Sequence, residues 1–185
     1  MSKLKLSKNI DEVCYPFIYE HSLKCDYEIL TDEMCRQVGG LIAEVPETFG
    51  HLIEELKTLQ SMIYHLNGSI RGKCAVSESD LEWLRTCYVR HKEATADCLS
   101  GFVLPRGKPP VAQLNAASSN AKKAIRLMVR LHQQEAVEIP DVLHRFCNVL
   151  CNYYFILTIV INHARGEEEI PFESESYRVR APRKP

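Results

Sequence analysis

Ser118, Lys122 and Arg126 follow one another at four-residue steps, the spacing that stacks side chains one above another on a helix. With Lys123 and Arg130 beside them they form a basic edge able to converge on a phosphate chain. The solvated outer face of an amphipathic helix has the same pattern. Asn148 and Asn152 interrupt an apolar stretch one turn apart, and a buried amide needs partners. Such a pair is either an interhelical hydrogen-bond network or a polar pocket. Cys147 and Cys151 share that spacing, but no histidine or carboxylate pair accompanies them at a matching interval, so they read as core thiols. Cys14, His21, Cys25 and Cys35 are better metal-ligand types at irregular gaps, and we assign no metal to them. No P-loop, dinucleotide fingerprint, nucleophile elbow or zinc-protease helix occurs.

These residues need helices to position them. Phe49, Leu52, Leu56, Leu59, Ile63, Leu66 and Ile70 recur at steps of three and four and predict a helix that frays at Gly68 and Gly72. Ser77 predicts the cap of a second helix, with Asp80 three residues on, Val76 stapled to Leu81, and a buried side continuing through Leu84, Tyr88 and Leu99. The run from Leu104 to Pro110 holds three prolines and Gly107 and predicts a loop of about seven residues. From Val111 a third helix buries Leu114, Ala117, Ala121, Ala124, Met128 and Leu131 and carries the basic edge on its other side. A fourth runs from about Asp141 to Ala164, with Leu143, Phe146, Leu150, Tyr153, Leu157 and Val160 inward and Gly166 after its end.

The expected organisation is an irregular N-terminal segment over 1–45 with only short elements, a helical domain over 46–168, and a tail over 169–185 that orders only if docked. The Gly39-Gly40 pair is read as a helix breaker. The fold class is all-α, an up-and-down bundle of four or five helices.

The chain has 185 residues, enough for one domain or one subunit of an oligomer. A net charge of −1 supplies no global attraction to nucleic acid or an anionic membrane. The most apolar stretch, Leu150 to Ile161, is short of the roughly 20 residues that span a bilayer. Met1 to Lys5 are not followed by the apolar run of a signal peptide, so the eight cysteines are read as reduced cytoplasmic thiols.

Three blocks in order, Phe102-Val103-Leu104-Pro105-Arg106-Gly107, then Leu114 to Ser118 leading into Lys122-Lys123-Ala124-Ile125-Arg126, then Phe146-Cys147-Asn148-Val149-Leu150, resemble the C-terminal half of the propanediol-utilisation type of cobalamin adenosyltransferase. The related ethanolamine-utilisation type shares the last-helix pattern and carries an N-terminal cysteine-rich motif that Cys14, His21, Cys25 and Cys35 echo loosely. The resemblance covers roughly residues 77–168. It implies a ferritin-like adenosyltransferase bundle, a homotrimer with sites between subunits, and transfer of the 5′-deoxyadenosyl group of ATP, with its magnesium, to a Co(I) corrinoid. The product would pass to a B12-dependent enzyme.

On this resemblance Phe102 covers the lower face of the corrin. Lys122, Lys123 and Arg126 stand near ATP, and Asn148 orients the nucleotide. Ser118 stands where the family has an arginine, Ile125 replaces a glutamate, Val149 an arginine and Asn152 an aspartate. The family's N-terminal Thr-Arg-x-Gly-Asp-x-Gly phosphate loop has no counterpart before Pro46. A corrinoid-binding or delivery protein of the same fold, or a helical scaffold without a small ligand, are the competing readings.

Overall fold

The structure, a computed structural model, describes residues 4–98 and 101–176. Five helices form the chain's body: α1 (Leu23–Glu44), α2 (Gly50–Gly68), α3 (Glu78–Ala94), α4 (Val111–Glu135) and α5 (Asp141–Ala164). α1 packs on α2 and α4, α4 on α5, and α5 on α3. Successive helices alternate in direction, so α3 and α5 run parallel; Arg145 near the start of α5 reaches Glu78 at the start of α3, 2.9 Å away. All five contribute to one continuous core of leucine, isoleucine, tyrosine and small side chains.

α1 corrects the expectation of only short elements before Pro46. Ser22 caps it by accepting the Lys24 N–H. Tyr27, Thr31, Met34, Val38 and Leu41 fall at alternating steps of four and three and are all buried. Thr31 hid this stripe, because its hydroxyl is satisfied inside the helix by the Tyr27 carbonyl at 2.8 Å. Gly39 and Gly40 do not break the helix. Each costs about 1 kcal/mol of propensity, but a Cβ on Gly39 would lie 3.1 Å from Gln60 Nε2, so the glycine admits α2 closely. Gln60 donates to the Cys35 carbonyl there at 3.2 Å. A helical unit starting at residue 46 would divide this core.

The other helices begin as expected, but α3 ends at Ala94, short of the Leu99 expected on its buried side, and Cys87 rather than Tyr88 is its buried residue in that turn. Ser77 and Asp80 form a reciprocal capping box on α3, and Gly166 with φ +68 follows α5. Leu99 lies outside the described residues. α5 is long and apolar enough to cross a membrane, yet its apolar face is the inner wall of the bundle, with Phe146, Leu150, Tyr153 and Leu157 buried. The tail docks at its start: β2 (Ile170–Pro171) pairs antiparallel with β1 (Val103–Leu104), Val103 opposite Pro171 and Leu104 opposite Ile170.

Candidate functional site

Ser118 marks the register of α4 against α5. Its hydroxyl donates to the Cys151 carbonyl at 3.1 Å and lies 3.3 Å from Cys151 Sγ. The helices run antiparallel, so Lys122 is level with the Cys147–Asn148 turn and Arg126 with the His144 turn. Lys122 and Arg126 of α4 therefore stand at the same height in the bundle as Asn148 and His144 of α5.

Ser118 itself does not face a ligand; it is buried at 8% exposure, while Lys122 and Arg126 are exposed. Each step of four residues overshoots a full turn by about 40°, so the stripe rotates about 80° from Ser118 to Arg126. That rotation turns position 118 into the α5 contact. Lys123 also leaves the group, donating to Asn120 Oδ1 at 2.9 Å, and Asn120 in turn donates to Glu33 of α1 at 3.0 Å. Lys122 and Arg126 form no hydrogen bond or ion pair with any of the described residues.

Asn148 and Asn152 are exposed rather than set in a buried face, which corrects the reading of them as buried amides. They lie two positions after Phe146 and Leu150, about 200° around the helix from those core residues. Asn148 Nδ2 donates to the His144 carbonyl of its own helix at 2.8 Å. Beside it lies an open surface hollow of about 480 Å³, where Arg85 of α3 and Arg145 and Val149 of α5 also line the wall. Around the edge, Ile125, Met128, Val129 and Ile139 line an apolar hollow of about 470 Å³.

Phe102 stands just before β1 and is 53% exposed. Gly101 precedes it with φ +88, a left-handed conformation that favours glycine. The Phe102 carbonyl accepts the Phe172 N–H at 2.8 Å, so the backbone is fixed where the ring is free.

Two polar clusters escaped the sequence reading. In the first, Glu55 of α2 accepts from His91 Nε2 at 2.9 Å, Tyr153 Oη at 2.8 Å and the Arg90 guanidinium, joining α2, α3 and α5. Burial works to raise the Glu55 carboxyl, but the hydrogen bond and charge of His91, with Tyr153 and Arg90, outweigh it and hold it below the usual range. Burial, and then the Glu55 carboxylate, push Tyr153 well above the usual phenol range. In the second, Arg71 bridges Glu28 at 2.8 Å and Glu20 at 2.7 Å and lies 4.1 Å over the Phe17 ring, pinning the segment before α1. The signal for the first was present: Glu55 occupies a core position of the Leu52–Leu59 stripe.

All eight cysteines are free, and burial pushes the Cys147 thiol up to about 12, as suits a core residue. Among the described residues no group of three or more His, Cys, Asp or Glu side chains is placed to share a metal ion.

Residues 30–161 match the family model described as Cobalamin adenosyltransferase. The chain is 27% identical to the corrinoid adenosyltransferase of Bacillus subtilis (strain 168) over 159 residues, covering 82% of this chain and 81% of that protein. It is 28% identical to the cobalamin adenosyltransferase of Cupriavidus metallidurans over 147 residues, covering 78% and 77%. Its fold is similar to a variant of the PduO-type ATP:corrinoid adenosyltransferase from Lactobacillus reuteri complexed with cobalamin and ATP. That match has a TM-score of 0.74 at 18% identity and covers 84% of this chain and 89% of that one. A second variant of the same protein, complexed with ATP, gives a TM-score of 0.73 at 19% identity, covering 84% and 90%.

Proposed function

The chain belongs to the cobalamin adenosyltransferase family, and from that premise we propose that it transfers the 5′-deoxyadenosyl group of ATP to the cobalt of a Co(I) corrinoid. The Co(I) electron pair attacks C5′ of ATP and a Co–C bond forms. The C5′–O bond breaks, triphosphate leaves with that bond's electrons, and the cobalt ends as formal Co(III). The protein must keep a lower ligand off the cobalt, align C5′ and stabilise the leaving anion. One observation carries the reading: a large aromatic ring, Phe102, is kept largely in solvent on a backbone that is hydrogen-bonded in place. An exposed ring on a fixed mount suits a flat apolar ligand face.

Lys122 and Arg126 neutralise the triphosphate, their charges being unspent on the described residues. Asn148 and Asn152, one turn apart on the facing edge, orient the nucleotide. Ser118 and Lys123 act through the packing of α4, since their side chains are bonded to Cys151 and Asn120. Magnesium arrives on the triphosphate, the ion's usual ligands being substrate phosphates and water with few protein carboxylates. We further propose a homotrimer in the cytoplasm, with the open apolar hollow beside Ile125 and Val129 supporting cover by a neighbouring subunit. A B12-dependent enzyme would take the product.

A second reading, a non-catalytic corrinoid binder, is favoured by Ser118 being turned inward and Val149 being apolar at family arginine positions. Anaerobic mixing of the protein with ATP and chemically reduced cob(I)alamin separates the two. Adenosylcobalamin and triphosphate formation, lost in Phe102→Ala and Arg126→Ala, is the expected result. A cobalamin spectral shift without triphosphate would sink catalysis in favour of binding.

A further inference from the structure

The hold on Phe102 converges on one buried side chain. Asn162, in the last turn of α5, is 3% exposed. Its Nδ2 donates to the Arg106 carbonyl at 3.0 Å and to Glu169 Oε1 at 2.9 Å. Arg106 lies between β1 and α4, and Glu169 between α5 and β2, so a single carboxamide joins the two segments that pair as β1 and β2. The Asn162 carbonyl accepts the N–H groups of Arg165 at 3.0 Å and Glu167 at 2.9 Å, turning the chain back after α5.

The seat under this amide is tight. A Cβ at Gly107 would stand 2.4 Å from Val111 Cγ1 and 2.8 Å from Asn162 Oδ1, so the loop backbone rests directly on the carboxamide. Arg165 adds a clamp from the next turn, donating to the Pro109 carbonyl at 3.0 Å and the Lys108 carbonyl at 3.5 Å. Lys108 closes the circle with an ion pair to Glu167 at 3.2 Å. The ribbon held this way ends at the Phe172 N–H to Phe102 carbonyl bond, 2.8 Å long. The Phe102 ring has no core of its own to fix it, so its placement is inherited from this backbone.

We propose that Asn162 is a positioning residue for corrin binding: by tying Arg106 to Glu169 it fixes the β1–β2 ribbon and thereby the angle at which Phe102 meets the corrin. The inference rests on Phe102 covering the lower face. Both amide protons of Asn162 are spent on the ribbon, one on each of its two segments. A residue that only stabilised the fold would lower the melting temperature and leave the cobalt environment unchanged.

The experiment uses the full chain with ATP and compares Asn162→Ala, Glu169→Ala and Phe102→Ala. The visible spectrum of bound cob(II)alamin reports whether the lower ligand is displaced, and turnover with cob(I)alamin gives kcat and the KM for ATP separately. Asn162→Ala is expected to move the spectrum toward that of the lower-liganded cofactor and to cut kcat roughly 10- to 100-fold, with the KM for ATP unchanged. Glu169→Ala, which removes one of the two bonds at a half-exposed position, gives the same shift to a lesser degree and serves if Asn162→Ala does not fold. Wild-type spectra and kcat in both, beside a defective Phe102→Ala, would overturn the role of Asn162 and leave that of Phe102 standing. A Phe102→Ala protein with wild-type spectrum and rate would remove the lower-face assignment and this inference with it.

Discussion

Glu55 and the Lys122–Arg126 edge treat charge in opposite ways. The Glu55 carboxylate is buried between three helices and accepts from His91, Tyr153 and Arg90. Lys122 and Arg126 are in solvent and bonded to none of the described residues. A buried charge must be paired, because leaving it alone costs several kcal/mol, so its partners report on the fold. An exposed cation costs almost nothing unpaired and keeps its charge for a ligand. The contrast teaches that the more elaborate polar cluster here holds helices together, while the plainer edge is the place to look for chemistry.

Breaking the buried side should have the largest effect. Glu55→Ala strands two buried donors, His91 and Tyr153, and is expected to lower stability by about 3 kcal/mol in urea denaturation; a loss below about 1 kcal/mol would mean the cluster is solvated. The same carboxylate carries a pH signature. Its folded pKa is lowered, so its stabilisation is complete above the ordinary carboxylate value and is lost as pH falls through the lowered one. The wild type should therefore lose stability in acid, below the usual carboxylate range, more steeply than Glu55→Gln does in parallel melts.

Arg126→Ala is the counterpart on the exposed edge. It is expected to lower kcat/KM with ATP roughly 10- to 100-fold while changing stability by less than about 0.5 kcal/mol. The opposite pattern, intact turnover in a weakened fold, would make the edge structural. Lys122→Arg sharpens the point, since a planar guanidinium can grip a phosphate through two bonds; a several-fold lower KM for ATP is expected, and a raised KM would place Lys122 off the phosphate path. The smallest effect belongs to Ser118→Ala. Losing the bond to Cys151 should cost about 1 kcal/mol with the KM for ATP unchanged, and a raised KM would return Ser118 to the ligand.

The site was legible to different depths. The four later helices were readable because their apolar residues recur at helical steps and Ser77 and Asp80 announce a cap. α1 was missed because Thr31 and the two glycines break the apolar count, although Thr31 satisfies itself and Gly39 makes room for Gln60. Asn148 and Asn152 were assigned to a buried face on their apolar neighbours, when counting 100° per residue from Phe146 turns them outward. The Glu55 cluster was marked only by a charge in a leucine stripe, which names no partner.

The sequence by itself determined the helical periods, the caps, the order of the three blocks and thus the family. Those are properties of residues close in the chain, where spacing and geometry are the same thing. Only the tertiary structure decided that Ser118 faces Cys151, that Glu55 meets His91 and Tyr153, and that Asn162 ties together the loop and tail behind Phe102. Each depends on the register between helices distant in sequence, and register is set by the packing of whole faces rather than by any local pattern.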